Sequence, residues 1–284
     1  MAQKSKKVPL KQRLLEEGWF DTEKEAASWA MLRRILVDDQ LIASISQRVS
    51  PNGVIRIKEY YKRRYVNKGG LKLEKALADF NLSVENLPAL DCGASTGGFT
   101  DCLLQRGASL VYAVDAGHGQ LAGKLQIDPR TVNLENTNIS CESLLRLDPT
   151  PHFITLDLSY LSLKKAVPAA LAIMKNEGVL VCLIKPIFET ESSEIRRTGN
   201  INNPELHEEI LPDLIHFFKE LGLSITGLIH SPIRGNNDAI EYLIALSTEI
   251  NQDKSGEVQN QLKQIIEDAF TLDKFNKKGG SPCP

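Results

Sequence analysis

Residues 89–138, ALDCGASTGGFTDCLLQRGASLVYAVDAGHGQLAGKLQIDPRTVNLENTN, spell a strand, a glycine-bearing turn, a helix and a second strand that ends on an acid. Ala89–Cys92 is a short apolar run, and Gly93, Gly97 and Gly98 surround Ser95 and Thr96, either of which is suited to cap the helix that follows. Phe99, Cys102, Leu103 and Arg106 recur at helical spacing, and Gly107 is placed to close the helix in a left-handed conformation. Leu110–Val114 then reads as a buried parallel strand that finishes on Asp115, 22 residues past Gly93. An acid at that place takes both hydroxyls of a ribose. The stretch therefore predicts a nucleoside-cofactor site. Its glycines are set more loosely than in G-x-G-x-x-G, which suits a cofactor that has no pyrophosphate.

The chain around it has 284 residues, 42% hydrophobic and 25% charged, which is ordinary globular usage and enough for one large domain or two smaller ones. No apolar run approaches a membrane span, and the lysine-bearing start MAQKSKKVPLKQ has no apolar segment of a signal peptide, so a cytoplasmic protein is expected. The five cysteines, Cys92, Cys102, Cys141, Cys182 and Cys283, lack CxxC spacing and predict free thiols with neither zinc nor disulfides. A net charge of −2 hides an asymmetry: residues 1–75 carry 17 Lys and Arg against 9 Asp and Glu, and the remainder 17 against 27. A basic head on an acidic body is suited to meet a polyanion.

Residues 1–8 are polar and expected to be disordered. Over residues 9–59, Leu10, Leu14 and Leu15 mark a short helix stopped by Gly18, and Thr22 with Glu25 forms a capping box for a second. Ile35–Val37, a turn at Asp38-Asp39 and Leu41–Ala43 predict a hairpin, with Val54–Lys58 as a further strand. This arrangement, with Lys11, Arg13, Arg33, Arg34, Arg48, Arg56 and Lys58, resembles the small RNA-binding module shared by one small-subunit ribosomal protein, tyrosyl-tRNA synthetase and many pseudouridine synthases. Its hairpin usually turns on Asn-Gly. Here two carboxylates stand on a face expected to meet phosphate. Residues 60–70 form a basic, aromatic connector in which Lys62, Arg63, Arg64 and Lys68 are candidate RNA contacts, while Tyr60 and Tyr61 fit either stacking on bases or a plain linker.

Beyond Gly69-Gly70, residues 71–250 continue the alternation of strands and helices. A helix starts near Leu71; Thr131–Glu135, Phe153–Asp157 and Val179–Ile184 follow as strands, with a helix over Leu163–Met174 and a long one over Pro204–Leu221. Ser224–Ile229 and Ile240–Leu246 are joined by a loop short enough for a hairpin, so the last strand is expected to run antiparallel in an otherwise parallel sheet. Residues 251–284 carry one weak helical pattern and then a stretch expected to be disordered. Ligands of open parallel sheets lie beyond the carboxyl ends of the strands. Asp157, Lys185 and the start of a reversed last strand, Glu241, would converge there, and Lys72 at the domain entrance can join them.

Those residues fall within blocks that resemble one family. The turn D-C-G-A-S-T-G-G with Asp91 resembles the S-adenosylmethionine site of class I methyltransferases. YVNKGGLKLEKAL, LDCGASTGGFTD, VYAVDAGHGQLAGKL, TLDLSYLSL, LIKPIFE and SPIRG…IEYL look like the successive blocks of the TlyA family, FtsJ-related ribosomal RNA 2′-O-methyltransferases historically named haemolysins. The resemblance implies a class I fold with a mostly parallel seven-stranded sheet, and a Lys-Asp-Lys-Glu tetrad at Lys72, Asp157, Lys185 and Glu241. It also implies cofactor contacts at Asp91, Gly93, Ser95, Thr96, Gly97, Gly98, Asp115, Asn136, Asn138 and Asp157, and ribosomal RNA or a ribosomal subunit as partner. Departures from the pattern fall at His118 for Tyr, Ile187 for Gln, Lys68 for Arg, and over Gly199–Pro204.

A ribose hydroxyl is a poor nucleophile, so catalysis requires alignment and help with its proton. Lys185 is the expected residue at that oxygen, either as a base or as a charge that orients the hydroxyl and stabilises an alkoxide. Base N-methylation is disfavoured, because Asp157-Leu158-Ser159-Tyr160 lacks the prolines of an Asn-Pro-Pro-Tyr loop. Cys182, inside a strand, is not a pyrimidine-directed nucleophile. The alternatives are an RNA-binding protein that keeps the fold without catalysis and a membrane-lytic haemolysin. The acids Glu205, Glu208, Glu209 and Asp213 on the long helix oppose the second.

Overall fold

The structure, a computed structural model, describes residues 7–17, 19–20, 22–57, 64–175, 177–199 and 201–272. The chain divides into two compact units between Arg64 and Tyr65.

In the first unit, helices at Leu10–Glu16 and Glu23–Met31 precede an antiparallel sheet of Ile35–Val37, Gln40–Ile42 and Ile55–Ile57. Thr22 caps the second helix by accepting from Glu25 N at 3.2 Å, as its capping-box spacing predicts. The turn between the hairpin strands has both central residues left-handed, Asp38 at φ 50° and Asp39 at φ 61°, the pairing that a two-residue hairpin of this twist needs. Aspartate tolerates that conformation because its carboxylate finds a local partner. Asp38 Oδ1 accepts from Val54 N at 2.8 Å and Asp39 Oδ1 from Arg56 Nη1 at 2.9 Å. Leu10, Leu14, Phe20, Ala26, Ala30, Ile35, Ile42 and Val49 close one small core. Val8, within the start expected to be disordered, instead belongs to a short strand, Val8–Pro9, that pairs with Arg48–Val49; residues 1–6 lie outside the described residues.

The second unit is built on seven strands: β1 Pro88–Cys92, β2 Leu110–Val114, β3 Thr131–Leu134, β4 Phe153–Leu156, β5 Val179–Ile184, β6 Ser224–His230 and β7 Tyr242–Ser247. Their order in the sheet is 6-7-5-4-1-2-3, parallel except for β7, which runs antiparallel to both β5 and β6. The interior strands are apolar along both faces because helices cover both. The helices are α1 Gly69–Asp79, α2 Gly98–Gln105, α3 Gly123–Gln126, α4 Leu163–Ile173, α5 Pro186–Glu189, α6 Ser193–Thr198, α7 Pro204–Glu220 and α8 Ser255–Thr271. Leu73, Leu77, Phe99 and Leu103 of α1 and α2 pack on one side of the sheet. Val167, Ala170, Leu211, Leu214 and Phe218 of α4 and α7 pack on the other.

Two expectations change here. The unit begins at Tyr65, inside the stretch expected to be a linker. It also runs past residue 250: the weak periodicity near the end is the 17-residue helix α8, whose Val258, Leu262, Ile266 and Ala269 are buried in the main core against β6 and α7. Among the described residues no helix is long and apolar enough to cross a membrane. Cys92, Cys102 and Cys182 are buried free thiols and Cys141 is an exposed one, while Cys283 lies outside the described residues.

Candidate active site

The carboxyl ends of β1, β2, β4 and β5 and the amino end of β7 share one rim of the sheet, a consequence of β7's reversed direction. The four charged residues expected there meet in two pairs. Lys185, just past β5 and at the N-cap of α5, sets its Nζ 2.6 Å from Asp157 Oδ1, just past β4. It also reaches Ser159 Oγ at 3.4 Å. Lys72, on α1, donates to Glu241 Oε2, the two being only 8% and 5% exposed. Burial raises the Glu241 carboxyl above the usual range, Lys72 opposes that rise, and Asp157 and Lys185 act on it with opposite signs. Glu241 is therefore within electrostatic reach of the other three charges. Asp157 Oδ1 is buried and held by the lysine's charge alone, with no hydrogen bond among the described residues.

The glycine turn lies beside this cluster. Gly93 passes so close to β4's end that a Cβ would stand 2.2 Å from Asp157 O, which only glycine allows. Gly97 sits at φ 96° and opens α2, so neither Ser95 nor Thr96 caps the helix as expected. Both are instead exposed in the turn and held elsewhere: Ser95 N donates to Asp115 Oδ2 at 2.7 Å, and Thr96 Oγ1 accepts from Asn67 Nδ2 at 2.5 Å. Asn67 also accepts from Gly69 N at 2.7 Å and lies against Gly98, where a Cβ would stand 1.9 Å from Oδ1. Asp115, half-buried, takes Gly117 N on its other oxygen at 2.6 Å. It thus ties the turns after β1 and β2 together, and each oxygen keeps a lone pair. Asn136 and Asn138 are exposed beyond β3, with Asn136 Nδ2 3.4 Å from His118 Nδ1 and Asn138 Oδ1 accepting from Ser140 N at 2.8 Å.

Asp91, expected as a cofactor contact, is the penultimate residue of β1 and is fully buried, accepting from Thr100 Oγ1 at 2.7 Å and Thr155 Oγ1 at 2.9 Å.

Two features were not foreseen. Tyr160, in the turn after Asp157, is 91% exposed at φ 66°, with its ring 5.2 Å from that of Phe188 on α5. Glu189 joins the same two segments: Ser162 Oγ donates to its Oε2 at 2.6 Å and Leu163 N to its Oε1 at 3.0 Å. The block LIKPIFE contains Phe188 and Glu189, but their partners across the rim are invisible in it.

Of the cations expected to meet RNA, Arg33, Arg64 and Lys68 are exposed, and Lys11, paired with Glu23 at 3.0 Å, is open to solvent. Arg34 lies over the Trp29 ring at 5.6 Å and Arg56 pairs with Asp39. Arg13 is turned inward, donating to Glu17 at 2.6 Å and to the Ser50 and Gly53 carbonyls at 2.9 and 2.8 Å. Its guanidinium braces the module. Lys62 and Arg63 lie outside the described residues.

An open sheet in this order with β7 reversed, a glycine turn after β1 and an acid after β2, defines a class I methyltransferase. The model of the FtsJ-like methyltransferase family matches residues 65–248, and the chain belongs to that family. It is 33% identical over 275 residues to a Bacillus subtilis protein named "Putative rRNA methyltransferase YqxC", covering 96% of this chain and 98% of that one. It is 31% identical over 239 residues to the "16S/23S rRNA (cytidine-2'-O)-methyltransferase TlyA" of Mycobacterium tuberculosis, covering 84% and 89%. Among solved structures, "Putative hemolysin from Streptococcus thermophilus" is similar at TM-score 0.70 and 35% identity, over 93% of this chain and 95% of that one.

Proposed function

We propose that the protein transfers the methyl group of S-adenosylmethionine to a ribose 2′-hydroxyl of ribosomal RNA. The observation that carries this is the meeting of Lys72–Glu241 and Asp157–Lys185 on one rim, next to the glycine turn. The residues present fit the cofactor. Asp115 keeps a lone pair on each oxygen for two ribose hydroxyls, and the side-chain-free, positive-φ backbone of Gly93 and Gly97 forms the turn beside it. Asn136 and Asn138, beyond β3, are candidates at the base, with Ser95, Thr96, Gly97 and Gly98 lining the turn. When bound, S-adenosylmethionine supplies an electrophilic methyl carbon on a sulfonium. Asp91 supports the turn from within β1.

Lys185 carries the acceptor side. Held by Asp157, its ammonium donates to the 2′-oxygen, orients a lone pair on it and stabilises the negative charge that grows as the hydroxyl proton passes to water. Asp157 fixes the lysine, and Glu241 does the same for Lys72. A hydroxyl held in line with its reaction partner no longer loses the entropy of finding it. The exposed Tyr160 ring offers a stacking face one loop away from Lys185, and stacking on aromatic rings is how proteins hold unpaired bases. Arg33, Arg34 and Arg64 of the first unit, and Lys68 of the second, are candidates for contacts to phosphate.

The test is transfer of labelled methyl to ribosomal RNA, and to subunits from a strain lacking the protein. Wild type should place label on a 2′-oxygen. Lys185→Ala should lose about 100-fold or more in rate while binding the cofactor as before. Undiminished transfer by the variant would remove Lys185 from the acceptor site.

A further inference from the structure

The helix α8 lies beyond the stretch matched by the family model, which ends at residue 248, and has no cation in its own last turn. A helix C-terminus presents unpaired carbonyls and partial negative charge that need donors. Arg234, in the hairpin loop between β6 and β7, supplies them. Its Nε and Nη2 donate to Leu272 O at 3.0 and 2.9 Å, and Nη2 also reaches Phe270 O at 3.4 Å. Its Nη1 turns back to its own loop and donates to Asp238 O at 3.1 Å. The residue is 6% exposed, a depth at which an arginine is costly unless its donors are filled.

The loop so held is the one that seats Glu241. Ser231 N donates to Glu241 O at 2.8 Å, and Gly235 N to Ala239 O at 2.8 Å, closing the loop on itself. Gly235 lies directly on the Glu241 carboxylate: a Cβ there would stand 2.1 Å from Oε1. That carboxylate is the partner of Lys72. At its other end α8 is fixed too, with Lys254 N donating to Ile225 O at 2.8 Å and its apolar face buried on β6 and α7. One guanidinium therefore joins the end of a firmly packed helix to the loop over a catalytic pair.

We infer that Arg234 is a positioning residue and α8 a strut for the active site: the end of α8, docked on Arg234, holds Gly235 over Glu241 and so fixes the Lys72–Glu241 pair. The inference rests on the methyl-transfer reading for its effect on rate, and on the structure alone for its effect on Lys72. Arginine's planar fork serves both the helix and the loop. A lysine at 234 can serve only one of them well.

The experiment uses the full chain and two readouts. Lys72 is tagged by reductive methylation with formaldehyde and a borane and followed by mass spectrometry, and methyl transfer to RNA is measured alongside cofactor affinity. For Arg234→Ala, Lys72 should be tagged several-fold faster than in wild type, and kcat should fall by about 100-fold, the order expected of a misplacement near 1 Å. KM for RNA and cofactor affinity should stay within about twofold, since both the cofactor turns and the RNA-facing cations lie elsewhere. Arg234→Lys should recover part of the loss. If Arg234→Ala tags Lys72 at the wild-type rate, or keeps wild-type kcat, the inference is overturned. Should Arg234→Ala not fold, Gly235→Ala decides. It keeps the arginine and the docked helix but drives a methyl group onto Glu241, so wild-type tagging and kcat there would overturn the inference equally. If wild type transfers no methyl to any RNA, the proposed reaction fails, while the Lys72 tagging still decides the coupling.

Discussion

Both oxygens of Asp91 accept from buried hydroxyls, Thr100 on α2 and Thr155 on β4, and burial is the largest influence on its ionisation, lifting its pKa from 3.8 to about 6. The Thr100 and Thr155 hydroxyls pull the other way, and the charge of Asp157 adds to the rise. A pKa raised on folding favours the folded state fully below the unfolded value and loses that support as pH climbs through the folded one. For this group the loss runs from about pH 4 to just above 6 and amounts to about 3 kcal/mol. Asp91→Asn removes the buried charge and leaves groups that the two hydroxyls can turn to satisfy. The variant should therefore unfold at a higher urea concentration than wild type at pH 7.5 and show a shallower fall in midpoint between pH 5 and 7.5. An unchanged slope would mean that the decline comes from Glu241 or Glu189, whose burial also raises them. Asp91 shows what a sequence conceals: its place in a block was legible, but enclosure by Thr100 and Thr155 depends on residues 9 and 64 positions away.

At the level of elements, Lys185 is seated by a helix of one turn. Four residues, Pro186–Glu189, have too few internal hydrogen bonds to hold a shape alone. Glu189 anchors them by accepting from the Ser162 hydroxyl and the Leu163 amide at the start of α4, so the segments that carry Asp157 and Lys185 are tied at their far ends. Glu189→Ala leaves orphan donors at a helix start, at about 1–2 kcal/mol. It should lower the thermal midpoint and cut methyl transfer at least about tenfold with cofactor affinity intact, and Glu189→Gln should restore much of both. Full activity in the alanine variant would show that α5 holds Lys185 without the clamp. The strands and long helices were legible because their apolar spacing is local: Val179–Ile184 has the same bounds in sequence and structure. The helix α8 was less so. Its apolar residues, separated by Gln, Lys, Glu and Asp, make a narrow stripe whose meaning comes from β6 and α7, distant in sequence.

At the scale of the whole molecule, a basic first unit precedes an acidic second one, each with its own core. The two carboxylates of the Asp38-Asp39 turn, which seemed at odds with a phosphate-facing surface, are partnered by Val54 N and Arg56. Arg33 is exposed, and Arg34, half-buried, lies over the Trp29 ring. Binding through such cations releases counterions, so replacing both with alanine should weaken RNA binding across sequences and flatten the dependence of log K on log salt by roughly one to two units. An unaltered salt slope would place the RNA contacts elsewhere. Cofactor affinity should not change. The pairing of Lys72 with Glu241 spans 169 residues of chain. During synthesis the cofactor turns and both lysines emerge long before Glu241 does, and domains acquire their contacts in the order the chain appears. Until Glu241 is made, Lys72 lacks its carboxylate partner and the proposed site is incomplete. On the proposed reading, competence arrives only with the reversed strand β7, so a copy not yet extended to residue 241 would not methylate the RNA of the ribosome that is making it.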